Sequence, residues 1–201
     1  MSAGRLITLE GVDGAGKSTH LQFVADQLGA RGRHVVVTRE PGGTELAERL
    51  RKAILEESMA PLAETLLLFA ARADHVVRVI GPALEAGHWV VCDRFSDATF
   101  AYQGAGKGVA AELIERLSRA VHPGLQPWRT LVFDCGYEVA RTRLSASGKA
   151  LDRFEREAQD FFERVRKAYL DIARAQAGRV RVIDATADVA AVRKAIEAGL
   201  A

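Results

Sequence analysis

Only two cysteines occur in the 201 residues, Cys92 and Cys135, far apart in the apolar runs WVVCD and LVFDC. That scarcity excludes a disulfide-stapled scaffold, and the lack of a CxxC pair removes the usual thiolate metal motifs. Both thiols read as buried and reduced. Long apolar runs are missing as well. No stretch approaches the ~20 residues needed to cross a bilayer, and the opening MSAGRLITLEGVDG has no secretory-signal pattern, so a cytoplasmic location without membrane contact is expected. Excess charge of one sign is also absent. With 28 basic against 26 acidic residues the net charge is +2, which gives no footprint for a nucleic acid polymer. The five histidines, at 20, 34, 75, 88 and 122, fall at no HExxH-like spacing, and none is assigned as a ligand or base.

What is present is ordinary for a globular protein: 48% apolar and 27% charged residues. A mass of 21.8 kDa suits one domain over residues 1–201, exposing roughly 9,300 Å² and hiding about 70% of the open chain's surface. Short β-rich runs alternate with helical patterns, which predicts an α/β fold with a largely parallel sheet. The strand candidates are Leu6 to Glu10, His34 to Thr38, Trp89 to Asp93, Thr130 to Asp134 and Arg179 to Asp184. Their continuous apolar character implies helices on both faces. Helices are expected near 18–30, 44–57, 63–86, 109–120, 138–145, 154–177 and 189–198, with glycine-rich loops at 41–43, 104–108 and 123–124.

The most specific pattern is Gly11-Val12-Asp13-Gly14-Ala15-Gly16-Lys17-Ser18, directly after the first strand and before the first helix. This is a complete GxxxxGK loop followed by serine, in the context the motif requires. Its glycines let backbone N–H groups converge on phosphate oxygens, the helix end adds its positive pole, and Lys17 adds a point charge. Ser18 is placed to ligate Mg²⁺. A nucleoside triphosphate with Mg²⁺ is therefore the expected ligand, with the phosphoryl acceptor left open by this loop alone.

Three further stretches supply arginines: TREPGGT from Thr38, FAAR ending at Arg72, and DRF from Asp93. In a parallel sheet the carboxyl ends of the strands share one crevice with the first loop. A guanidinium fork suits a second phosphate, and an aromatic ring beside an arginine on one helical face suits a nucleobase. The combination reads as an acceptor-nucleotide site.

In that order LITLEGVDGAGKST, TREPGGT, LLLFAAR, VVCDRFSDATFAYQG and LDRFE span residues 6 to 155, and the chain resembles the thymidylate kinases. That resemblance implies a P-loop NTPase fold of three layers, a five-stranded parallel sheet flanked by helices, with a mobile lid at about 145–153. It implies transfer of phosphate from ATP to dTMP, giving dTDP, and a homodimer for which the run Leu66 to Phe69 is a candidate surface. Carried over residue by residue, Gly11, Val12, Asp13, Gly14, Ala15, Gly16, Lys17, Ser18 and Thr19 would hold ATP, with Arg141 over adenine. Asp93 and Ser18 would hold Mg²⁺. Arg94 would grip the acceptor phosphate, with Arg39 and Arg51 nearby. Asp13 would meet the sugar 3′-hydroxyl, Glu40 and Pro41 would lie by the acceptor, and Tyr102 would crowd a 2′-hydroxyl. Arg72, Thr99 and Gln103 would read thymine, with Phe69 stacked on it.

Two departures from the family pattern stand out. Gly14 occupies the loop position where some members carry arginine, which implies that the lid donates the catalytic cation, yet Ser145 to Lys149 holds few basic residues. Lys149, Arg153 and Arg143 compete for that role. The stacking ring usually lies four residues before the base-reading arginine, whereas Leu68 stands there and Phe69 is three before. Two other readings stay in view: a nucleotide kinase with a different acceptor, and a GTPase-like switch, which would need an NKxD sequence that the chain lacks.

Overall fold

The computed structural model describes residues 4–146, 148 and 152–200. Five strands form one parallel sheet in the order β2-β3-β1-β4-β5: β1 Leu6–Gly11, β2 Val35–Arg39, β3 Trp89–Asp93, β4 Arg129–Asp134 and β5 Val180–Asp184. β1 lies between β3 and β4, with Leu9 opposite Asp93 and Leu131. Every side chain of β1 is buried, because helices cover both faces. α1 (Lys17–Ala30) and α9 (Val189–Gly199) pack together on one face, where His20 stacks on Phe133. α8 (Gln159–Ala175) covers β1, β4 and β5 from the other, where Tyr169 meets Glu10. The accessible surface is 9930 Å², close to the expectation from mass, and among the described residues no helix is long and apolar enough to cross a membrane.

Local chemistry sets the element ends. α2 (Glu45–Glu56) starts where the Thr44 hydroxyl accepts from the Ala47 N–H, with Glu45 and Glu48 in its first turn. The single helix expected over 63–86 is three pieces: α3 (Pro61–His75), a π turn (Val76–Ile80) and α4 (Gly81–Glu85). Pro82 explains the break, since its ring displaces the carbonyl one turn back and it has no N–H to continue the ladder. The region read as motif and loop after Asp93 is helical instead, α5 (Ser96–Thr99) running into a π turn (Phe100–Gly106). Gly106 is there for closeness, as a Cβ would sit 2.6 Å from the Phe161 ring of α8. α6 (Ala111–Val121) and α7 (Tyr137–Ala146) match expectation. The helix expected from Phe154 begins only at Gln159, because Asp152 accepts from the Phe154 and Glu155 N–H groups and ties that stretch into a turn.

Candidate functional site

The phosphate loop closes on the carboxyl edge of the sheet. Gly11 ends β1 at φ 129°, and a Cβ there would lie 2.3 Å from the Phe133 carbonyl oxygen on β4, so only glycine fits between the strands. Gly16 caps α1 in the left-handed region with no side-chain hydrogen bond to the helix end, which leaves the first amides of α1 as the donors an anion needs. Lys17 is buried and its Nζ donates to the Gly11 and Val12 carbonyls, each at 3.0 Å. Burial, then repulsion from Arg94, hold its pKa below the usual lysine value. An incoming phosphate would replace weak carbonyl partners with a full negative charge.

Arg94 is the focal cation. It follows Asp93 at the end of β3 with φ 71°, the one non-glycine residue at positive φ among those described, a conformation that survives only where the surroundings over-determine it. They do. Its backbone N–H donates to the Leu9 carbonyl at 3.0 Å, Nη1 donates to the Gly11 carbonyl at 2.9 Å and to Tyr169 Oη at 3.1 Å, and Nη2 donates to Asp13 Oδ1 and to Tyr102 Oη. Tyr102 Oη donates in turn to Asp13 Oδ2 at 2.8 Å. Burial alone would raise the Asp13 pKa, but Arg94 and Lys17 hold it below the ordinary carboxylate value. Beneath this knot Glu10, wholly buried, accepts from the Phe95 N–H at 2.7 Å and from Tyr169 Oη at 2.9 Å. Burial, then the Asp97 carboxylate, push the Glu10 pKa up to about 8.

A cleft with about 660 Å³ of free space opens beside Arg94, lined by Asp13, Glu40, Pro41, Arg51, Arg72, Thr99, Tyr102 and Gln103 together with Leu68, Phe95 and Phe154. Arg72 is 3% exposed; its Nε donates to Glu40 Oε2 at 2.6 Å and its Nη2 to Thr99 Oγ1 at 3.0 Å. Glu40 is fixed from its other oxygen by His75 Nδ1 at 3.1 Å. A second, larger space of about 1600 Å³ runs over the phosphate loop from Asp13 to His20 and is also lined by Arg39, Asp93 and Arg143. The two share Asp13, Glu40, Arg51, Arg94 and Asp152.

Several expected residues stand elsewhere. Phe69 is 2% exposed and backs Arg72, whose guanidinium carbon lies 4.9 Å from its ring; Leu68 takes the place on the cleft wall, because one residue's rotation along α3 turns a side chain by about 100°. Arg39 reaches away to Glu48 at 2.9 Å and lines only the larger space. Arg153 does not line that space; it pairs with Glu64 of α3 and donates to the Ile54 carbonyl. Arg143 does line it, with Nη2 on the Ala185 carbonyl at 2.8 Å and Nη1 3.9 Å from where a Cβ on Gly16 would be. Arg141 sits in a neighbouring crevice against the Glu155 carbonyl. Lys149 lies outside the described residues, as do Ser147, Ala150 and Leu151 of the expected lid. Glu10 and Glu64 were not singled out from the sequence, Phe95 stood only as part of the DRF stretch, and Tyr169 read as core packing on the last long helix; the usable signals for the two carboxylates were a glutamate near the end of a buried strand and a lone glutamate in an apolar helix start.

The model of a protein family described as thymidylate kinase matches residues 9–196. The thymidylate kinase of Bordetella petrii is 55% identical over 197 residues, covering 98% of this chain and 95% of that one. That of Ralstonia nicotianae is 55% identical over 202 residues, with 98% of each chain covered. The crystal structure of thymidylate kinase from Ehrlichia chaffeensis superposes with a TM-score of 0.79 at 32% identity, covering 98% of both chains.

Proposed function

The chain belongs to the thymidylate kinase family and phosphorylates dTMP to dTDP with ATP, and on that premise we propose that the smaller cleft takes dTMP while the larger space takes the triphosphate of ATP. The observation that carries this is their shared wall. Asp13, Arg94, Glu40 and Arg51 line both, so an acceptor phosphate beside Arg94 and Arg51 would face a γ-phosphate beside Lys17. Phosphoryl transfer needs alignment and charge neutralisation rather than a covalent protein intermediate. Arg94 suits the meeting point because four hydrogen-bond partners fix its guanidinium before any ligand arrives, so little reorganisation is left for the reaction. The base end of dTMP would lie among Arg72, Thr99, Gln103 and Leu68, and its sugar beside Asp13 and Tyr102.

Mg²⁺ fits the residues present. Asp93 Oδ1 is buried without a hydrogen-bond partner among the described residues, and Ser18 lines the same space. No group of three or more His, Cys, Asp or Glu side chains gathers as a metal cage among the described residues, which suits an ion completed by phosphate oxygens and water. When bound it supplies charge neutralisation on the triphosphate. For a pair of copies the candidate surface is on α3: Leu62 and Leu66, four residues apart on one face, are each about half exposed, with Val77 beyond them at 72%. Both cysteines are free and buried, which suits a reducing cytoplasm.

The test is transfer from ATP in Mg²⁺ to a panel of dTMP, dUMP, dCMP, CMP and AMP. The highest kcat/KM is expected for dTMP, with activity lost in excess chelator and restored by Mg²⁺. A better acceptor among the others, or hydrolysis without transfer, would refute it.

A further inference from the structure

Glu64 sits on α3 at the back of the smaller cleft with no exposed surface. Two donors and a further cation converge on it. Gln103 Nε2 donates to its Oε1 at 2.7 Å, Lys107 Nζ donates to Oε2 at 2.7 Å, and Arg153 Nη2 pairs with the same oxygen. A carboxylate only accepts, whereas an amide has one donating and one accepting end. The reverse flip of Gln103 would press two acceptors together and leave both buried and unpaired. The amide orientation is therefore dictated by Glu64. Its backbone is held as well, since the Gln103 carbonyl accepts from the Val109 N–H at 2.9 Å.

On the same wall Arg72 spends Nε on Glu40 and Nη2 on Thr99, and its Nη1 is buried without a partner among the described residues. Arg72 and Gln103 both line the cleft, so the Gln103 carbonyl that Glu64 leaves over and the Arg72 guanidinium are the acceptor and the donor available to a base there. Thymine and uracil carry the complement, an N3–H donor next to an O4 acceptor. Cytosine inverts both, with an N3 acceptor beside an N4 amine.

We propose that Glu64 is the positioning residue that makes this kinase reject cytosine nucleotides, by taking the NH₂ end of Gln103 and so committing its carbonyl to the base. This rests on the reading that the smaller cleft holds the acceptor base. Arg153 and Lys107 hold Glu64 in place, so the arginine at the end of the expected lid serves the base pocket.

The isosteric Glu64→Gln variant tests it, because a glutamine partner can donate as well as accept and frees Gln103 to flip. The kcat/KM ratio of dTMP over dCMP should fall about tenfold or more. The ratio of dTMP over dUMP should stay at the wild-type value, since both bases present N3–H and O4. An unchanged dTMP over dCMP ratio overturns the proposal, and so do both ratios falling together, which is what a merely loosened pocket would give. Should the variant fail to fold, a crystal structure of the wild-type chain with dTMP decides: Gln103 should touch N3 while still bonded to Glu64, and release of Glu64 refutes the idea. Gln103→Met separates the two layers. Wild-type dTMP kinetics in that variant would mean the cleft is not the base site; a collapsed dTMP over dCMP ratio there, with Glu64→Gln unaffected, would sink the role of Glu64 alone.

Discussion

Replacing Glu10 with glutamine should flatten the pH dependence of the fold's stability. The side chain has no exposed surface and accepts from the Phe95 N–H and Tyr169 Oη. Burial first, and the Asp97 carboxylate second, raise its pKa from 4.5 to about 8, against the pull of Arg94. In the unfolded chain the same group ionises near 4.5. Between those values the folded state binds one more proton than the unfolded state, so stability falls as pH rises, by about 1.4 kcal/mol per pH unit. The loss is absent below about pH 4.5 and complete above about pH 8, for a total of about 3–5 kcal/mol. Glutamine keeps the shape, accepts from Phe95 and has no proton to exchange. Urea unfolding of both proteins at several pH values from about 5 to about 8 measures the difference directly. The Glu10→Gln variant should gain on the wild type throughout that interval, and titrating groups that do not interact with Glu10 cancel in the comparison. Curves that stay parallel to within about 0.5 kcal/mol would refute the reasoning: Glu10 would then be ionised in the fold, with the Arg94 cation outweighing burial.

The same residue shows where sequence reading stopped. The five strands and their parallel arrangement were legible because LITLE, HVVVT, WVVCD, TLVFD and RVRVID are short β-rich runs between helical periods. Yet β1 is continuous only in burial: Ile7 and Leu9 face α1 and α9, while Thr8 and Glu10 enter a polar seam under α5 and α8 with Thr130, Asp97 and Arg179. Long-range partners of that kind leave no periodic trace. The phosphate loop was legible because its function is written in contiguous residues, and Arg94 and Arg72 because they stand at strand-end and helix positions that the fold must bring to one crevice. Arg153 stands away from the phosphate loop for the opposite reason. Its neighbours in sequence belong to the expected lid, but Glu64, nearly ninety residues earlier, is a buried carboxylate that draws it to the base pocket. Tyr169 read as a packing residue on the apolar face of α8, and only its hydroxyl, meeting Arg94 and Glu10, reveals more.

Two further outcomes are expected. Leu66→Glu should turn a two-copy species into single chains in sedimentation, with the fold retained, because the side chain it replaces is 48% exposed; unchanged sedimentation would move the pairing surface off α3. The arginines 143 and 153 should separate by kinetics. Arg143 lines the space over the phosphate loop beside Gly16, where a cation on the γ-phosphate would act chiefly in the transition state, so Arg143→Met should lower kcat at least about 100-fold while KM for dTMP stays within about threefold. Arg153 holds Glu64, so Arg153→Met should raise KM for dTMP and spare kcat to within about threefold. The reverse pattern would mean that Arg153 leaves Glu64 on closure and reaches the triphosphate. Glu64 would then lose one of its cations each time the site closed, and the base pocket and the phosphate site would compete for a single arginine.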